Sequence, residues 1–425
     1  MKKLIALFLV FVMMLSMASL ALAEDITVTV FQLKVEIDPM LQKYAAEYSA
    51  RTPGVTVKVE TLGGGGDYGG VLKSKKQGDQ MPSIFQIEGL SGYELWKDDM
   101  ADLSNAKFAA DTSVAYYAPD GKVVGFPIAI EGYGLGYNAE ILEKAGIDPA
   151  TLNTRANIQA AFEKIDSMKE ELGLDMVVAS AASLSGGMWW VMGQHIWSVY
   201  FSGGLDYTDT SIIDMATKEG KVDEDRLAQF AEYATLLMKY TDPDVLSNGD
   251  YNAQITAFAN QKAAFITQGN WIDPNMKELG ATFKMGYAPH AFLDTEDNGI
   301  QISPPSWWCV NGKAPEAEIQ AAIDFLDSIA TTEEGAKYMV EEAGMVPAFN
   351  SVTLQPEGQF SRELIRYNSM EGGAHNWYFP LQPSDYGSRV IGPIMDLYSQ
   401  DPSDPAMLAQ LLTQAVAEMP TSYAE

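Results

Sequence analysis

Apolar and β-branched residues alternate with polar ones in ITVTVFQL at 26–33 and in VTVKVETL at 55–62, and each stretch predicts a strand. Between them Leu41, Tyr44, Ala45 and Tyr48 recur at helical spacing, the apolar face of one helix. An amphipathic stretch through Val71 and Leu72 precedes a third expected strand, SIFQIEG at 83–89. Strand, helix, strand, helix, strand in short succession calls for a parallel sheet with helices on its faces. From about 139 to 283 helical periodicity takes over, at NIQAAFEKIDSMKEEL and EDRLAQFAEYATLLMKY. Further helices are expected within 315–344 and near DPAMLAQLLTQAVAEM. The pattern predicts an α/β chain throughout, with two lobes.

The first residues follow a different rule. Lys2 and Lys3 precede an apolar run from Leu4 to Leu15 that is too short for a comfortable membrane span, and Ala21-Leu22-Ala23 gives a small-x-small cleavage pattern before Glu24. Residues 1–23 are expected to be a cleaved signal peptide, and the protein an exported one. With 57 acidic side chains against 28 basic ones and a formal charge of −29, nucleic acid, anionic lipid and polyanions are unfavourable partners. Cys309, the lone cysteine, excludes an intramolecular disulfide and reads as a buried apolar residue. His195, His290 and His375 share no metal-ligand spacing, and no metal is expected.

TLGGGGDYGG at 61–70 raises the question of phosphate binding. No glycine of this loop is followed by the lysine of a Walker motif, and polyglycine satisfies the dinucleotide fingerprint trivially, after the second strand and not the first. No cofactor is expected. The loop leaves the carboxyl end of a strand, where α/β sheets place their ligand crevice, so it reads as a flexible turn in which Asp67 and Tyr68 are the candidate contacts.

Several tryptophans stand beside turn residues and not inside periodic apolar runs: Trp189 and Trp190 after LSGG, Trp271 in QGNW, Trp307 after SPPS and Trp377 in GGAHNW. Rings so placed are either packed beneath loops or present platforms, and sugars suit platforms because their C–H faces stack while their hydroxyls need fixed polar partners. Glu88 and Glu131 end the expected strands FQIEG and PIAIE, where each would accept hydroxyl bonds or, alternatively, serve as one of a glycosidase carboxylate pair. Gln32 and Asn270 are further candidate hydroxyl partners.

Four segments in order resemble the family 1 extracellular solute-binding proteins that deliver carbohydrates to ABC importers, the maltose-binding-protein-like family. They are GDQMPSIFQIEG, FPIAIEGYGLGYNAEILEKAGI, AFANQKAAFITQGNW, and the long stretch from WWCVNGK to VPAFNS. Ser83, Gln261 and Phe265 depart from the residues usual in those motifs. The resemblance implies a type II periplasmic-binding-protein fold: two lobes, each a mostly parallel sheet flanked by helices, joined by crossing strands and closing on a sugar in the cleft between them. It places 24–130 plus 290–345 in lobe 1 and 131–289 plus 346–425 in lobe 2, with the hinge near Ile130, Pro289 and Val346.

It also implies that Glu131 accepts sugar hydroxyls, that Trp271 is a stacking platform, and that Glu88, Trp189, Trp190 and Tyr386 lie near contact positions. The loop from Gln32 to Glu36 is similar in place to a ligand-contacting loop. Lipid-anchored members carry cysteine where Glu24 stands, so periplasm, secretion or the cell surface without a lipid tether is expected. The chain is accordingly expected to be a monomeric, non-enzymatic carbohydrate receptor for the permease subunits of an ABC importer. A receptor for a polyamine or a metal complex, and a secreted glycoside hydrolase using Glu88 and Glu131, are the alternatives.

Overall fold

The computed structural model describes residues 25–63, 66–383 and 385–424. The expected signal peptide, Glu24 and two of the loop glycines lie outside them. Strands β1 (Ile26–Gln32), β2 (Val55–Thr61) and β3 (Ile84–Ile87) form where alternation and β-branching foretold them, and β1 pairs in parallel with both of the others. Helix α1 (Asp38–Arg51) buries Leu41, Tyr44, Ala45 and Tyr48, the four residues of the expected face. Helix α2 (Tyr68–Gln77) starts on Asp67, whose carboxylate accepts the Gly70 N–H at 2.9 Å and satisfies one of the donors that a helix start leaves free.

Strands β4 (Tyr116–Tyr117) and β5 (Val123–Pro127) complete this sheet only with help from far down the chain. Beyond them come β6 (Glu131–Tyr133), β7 (Leu135–Asn138), β8 (Val178–Ala179), β9 (Phe265–Ile266), β10 (Met285–Ala288), β11 (Ile300–Ser303), β12 (Trp307–Val310) and β13 (Ala374–His375). The first sheet runs β2-β1-β3-β12-β5-β4, a second β10-β7-β9-β8, and a third β13-β11-β6. In the first sheet parallel pairing is confined to β2-β1-β3; β12, reached by a return from the other lobe and not by a helical crossover, pairs antiparallel with β3 and β5, and β4 and β5 pair antiparallel with each other.

Two large cores divide the chain, with boundaries that correct the expected ones. Ala291 and Phe292 pack in the second core, and β11 pairs with β6 and β13, so residues 290–303 belong with the second lobe. The chain crosses at Ser303–Trp307, where Pro304 and Pro305 cannot continue a ladder, and Pro289 is not a crossing point. Ala348 and Phe349 still pack in the first core, so the last crossing ends after them and not at Val346. The crossings lie side by side: Ile130 N–H donates to the Val346 carbonyl at 2.9 Å, and Ile128 N–H to that of Ser306 at 3.4 Å. Within 315–344 the expected helix is broken. Glu316–Thr331 ends where Thr332, extended at ψ 157°, turns its hydroxyl to cap Gly335 and start a second helix.

Cys309 is buried. Both ring nitrogens of His375 meet oxygens, Nε2 that of Asp297 at 2.7 Å and Nδ1 the Leu205 carbonyl at 2.8 Å, which favours the doubly protonated, charged ring, whereas the Gly204 N–H directed at Nε2 at 3.3 Å does not. Burial opposes that charge, but the hydrogen bond and charge of Asp297 prevail and raise the histidine above its ordinary 6.5. The stabilisation is complete below that ordinary value and is lost as pH climbs through the raised one. We expect His375→Gln to cost about 2 kcal/mol at pH 6 and clearly less at pH 9. Urea titrations at the two pH values check this, and an equal cost at both would refute it.

Candidate functional site

The carboxyl ends of β1, β2 and β3, the crossings and the second lobe enclose a cavity of about 550 Å³. Its polar floor is built on Lys34, just past β1. The Lys34 ammonium lies 2.5 Å from Glu36 and 2.5 Å from Glu131, and all three side chains are nearly buried. Burial works against the lysine's charge, but the two carboxylates hold it protonated, above its usual range. The Glu131 carboxyl is raised by burial and by Glu36 against the pull of Lys34. Glu88 lines the same cavity; burial first, then Asp385, raises its carboxyl to about 7.

Gln32 does not line the cavity. Its amide donates to the Lys34 carbonyl and Thr61 hydroxyl and accepts the Lys34 N–H, so every contact is spent on shaping the loop that aims Lys34. Gln86 was missed, although it shares a strand face with Glu88 two residues on. It accepts the Leu33 N–H and donates to the Ser306 hydroxyl, joining that loop to a crossing.

Asp67 and Tyr68 line the rim, as does Tyr386 opposite. The Tyr68 hydroxyl is occupied, donating to the Phe31 carbonyl and accepting the Gln86 N–H, while its ring stacks on Phe31 at 4.5 Å. That of Tyr386 donates to the Ala415 carbonyl at 2.6 Å. Both present rings, not hydroxyls. Gly63 has a definite reason to be glycine: a Cβ there would lie 1.7 Å from the Leu33 carbonyl oxygen, so this part of the expected flexible turn is a close backbone approach. Across the cleft Gly89, at φ 82°, admits Pro380 of the other lobe, whose Cβ would sit 2.2 Å from an added one.

The opposite wall is aromatic. Trp189 and Trp190 lead into a π-helical turn, Val191–Ile196, which brings His195 within 5.0 Å of the Trp190 ring. Trp271 stacks on Trp377 at 5.8 Å and 14°, too close to admit a ligand between them; Trp377 is buried and Trp271 partly exposed, so Trp377 backs the ring that Trp271 presents. Trp307 and Asn270 are not in this wall. The Trp307 indole donates to the Val114 carbonyl and packs on Tyr116 inside the first lobe. Asn270 accepts the Gly132 N–H and donates to Ser361, tying β6 to helix Gln359–Asn368. A turn beside an aromatic marked them, but partners distant in the chain consume them. Gln194, His195 and Tyr251 also line the wall and carried no pattern of their own.

The profile of the family described as bacterial extracellular solute-binding protein matches residues 43–364. The chain is 23% identical over 340 residues to the multiple sugar-binding protein of Streptococcus mutans, covering 76% of this chain and 75% of that one. It is 22% identical over 299 residues to the melibiose/raffinose/stachyose-binding protein MelE of Bacillus subtilis, covering 68% and 66%. A solved sugar transporter of Bacillus licheniformis, in complex with stachyose, shares the fold with a TM-score of 0.73 at 18% identity, over 93% of this chain and 100% of that one. No helix among the described residues is long and apolar enough to cross a membrane. The chain belongs to the family of bacterial extracellular solute-binding proteins.

Proposed function

We propose that the protein is an extracytoplasmic receptor that binds an oligosaccharide between its lobes and hands it to the permease subunits of an ABC importer, as a monomer and without catalysis. The observation that carries this reading is the pairing, across one cavity, of tryptophan rings with a floor of fixed carboxylates and an ammonium. A pyranose offers an apolar C–H face to the first and a ring of hydroxyls to the second. The multiple sugar-binding protein and the melibiose/raffinose/stachyose-binding protein to which the chain is similar point the same way. Closure about the three crossings is favoured only as far as the sugar binds the closed arrangement more tightly. A hydrolase would need Glu131 to exchange a proton or attack the sugar, whereas Lys34 at 2.5 Å occupies it.

Raffinose and stachyose at a hundredfold excess over their dissociation constants should stabilise the protein by about 2.7 kcal/mol, read as a rise in melting temperature. Stabilisation by a polyamine or a metal complex and by no sugar would overturn the carbohydrate reading. Trp271→Ala should weaken sugar binding about tenfold, a loss of about 1.4 kcal/mol, and calorimetry showing unchanged affinity would remove its stacking role.

Glu88 gives the binding a pH dependence. Its carboxyl, near 7 in the free protein, accepts hydroxyl bonds best when ionised. Sugar affinity should therefore climb by up to about tenfold between pH 6 and pH 8 and flatten in Glu88→Gln. A flat profile in the unaltered protein would show that Glu88 does not meet the ligand.

A further inference from the structure

We infer that the ligand is an oligosaccharide carrying a cationic amino group, whose ammonium sits between Glu88 of the first lobe and Asp385 of the second. This rests on the carbohydrate reading and narrows it to one chemical class of sugar. Glu88 lines the cavity and keeps part of its surface open. Its carboxylate accepts no hydrogen bond and forms no ion pair among the described residues, where burial and neighbouring charges alone act on it. The buried and unmatched polar atoms of those residues do not include either of its oxygens, so both stay within a ligand's reach. Apart from Asp385, the other carboxylates of the lining have partners: Glu36 and Glu131 share the Lys34 ammonium at 2.5 Å, and Asp67 accepts the Gly70 N–H at 2.9 Å.

Glu88 therefore stands in the cleft without a counter-charge of its own. Asp385 and Glu131 act on it as like charges, and Lys34, which pulls the other way, is already shared by two carboxylates. Lys73 and Arg389, the remaining cations of the lining, are exposed, and neither is among the charges that act on Glu88. Burial first, then these like charges, raises its carboxyl to about 7, the behaviour of a site one positive charge short.

The shortage comes from the meeting of the lobes. Glu88 immediately precedes Gly89, where Pro380 of the other lobe makes its close approach. Asp385, further along the same loop, places Oδ1 3.8 Å from where a Cβ on Gly69 of the first lobe would stand. Closure thus draws the two carboxylates together, and their repulsion opposes it. A hydroxyl brings no charge and leaves that repulsion in place, whereas an ammonium cancels it and donates to both lobes, favouring the closed arrangement over the open one. A bare metal ion lacks the ligands it needs, since no group of three or more acidic, histidine or cysteine side chains among the described residues could hold one.

The test is calorimetry at pH 7 with β-1,4-linked trimers that differ only in the group on C2: a hydroxyl in the glucose trimer, an ammonium in the glucosamine trimer and an acetamide in the N-acetylglucosamine trimer. Raffinose and stachyose serve as neutral references. We expect the glucosamine trimer to bind about tenfold more tightly than either neutral trimer. Glu88→Gln, which keeps the size and removes the charge, should bring the amine and hydroxyl trimers within about twofold of each other, and Asp385→Asn should narrow the gap about threefold. The free Glu88→Gln protein should melt no lower than the unaltered chain, because an unpaired charge has gone; if it melts lower, the Asp385→Asn result, at an exposed position, stands in its place. A glucosamine trimer that binds no tighter than its neutral counterparts, or an advantage that survives both substitutions, would overturn the inference, and binding of raffinose or stachyose would still leave the carbohydrate reading standing. Equal stabilisation by calcium ion alone would also overturn it, by showing that the two carboxylates hold a metal. Failure of every one of these sugars to bind would sink the carbohydrate reading and this inference with it.

Discussion

The buried ion pair from Lys34 to Glu131 is the constraint on which the rest of the cleft depends. An ammonium taken out of water is tolerable only with partners in good geometry, and here two carboxylates stand 2.5 Å away. Lys34 comes from the loop after β1, in the first lobe, whereas Glu131 opens β6, opposite Ser303 of β11, where the chain has crossed to the second. One charge pair thus sets the loop of one lobe against the crossings that lead to the other. The neutral hydrogen bonds of Gln32 and Gln86 exist around it, one shaping the Lys34 loop and the other fixing that loop to Ser306. Removing one partner from such a pair leaves an uncompensated charge, a loss of about 3–5 kcal/mol, so the arrangement has little freedom to vary.

The opposing wall is organised by a different force. Its rings pack edge to face and offset, as aromatic quadrupoles prefer, around Tyr133 and His195. Glycines make that wall possible: a Cβ on Gly193 would lie 2.7 Å from the Cα of Gly392, so the π-helical turn and the helix Gly392–Ser399 meet backbone to backbone. The result is a rigid apolar surface facing a rigid charged one, which is what recognition of a molecule with one apolar face and many hydroxyls requires.

Much of the fold was legible because it is local. The alternation in β1 and β2 and the spacing of Leu41, Tyr44, Ala45 and Tyr48 each express one element and its buried face. That Glu88, Glu131 and Trp271 stand at strand ends or turns opening on one cavity was legible for the same reason, although the strands belong to three sheets. What failed was non-local. Nothing within 290–303 says that β11 will pair with β6 and not extend the first sheet, and this moved the lobe boundary. Asn270 and Trp307 have the right chemistry in the right neighbourhood, but partners 91 and 193 residues away use them up, and Gln32 is taken both by Lys34 two residues on and by Thr61 29 residues away. Lys34, between two residues that were singled out, was overlooked because a lysine in an acidic chain reads as surface charge until its two carboxylates are seen.

The central claim, that ring faces and the Lys34 floor converge on one sugar, is tested most directly by a crystal structure of the protein with stachyose. The account predicts a pyranose face within about 4 Å of the Trp271 ring, with hydroxyls in hydrogen-bond range of Glu131 and Lys34 on the other side. A sugar bound to one lobe alone, or held without contact to either Trp271 or Glu131, would contradict it.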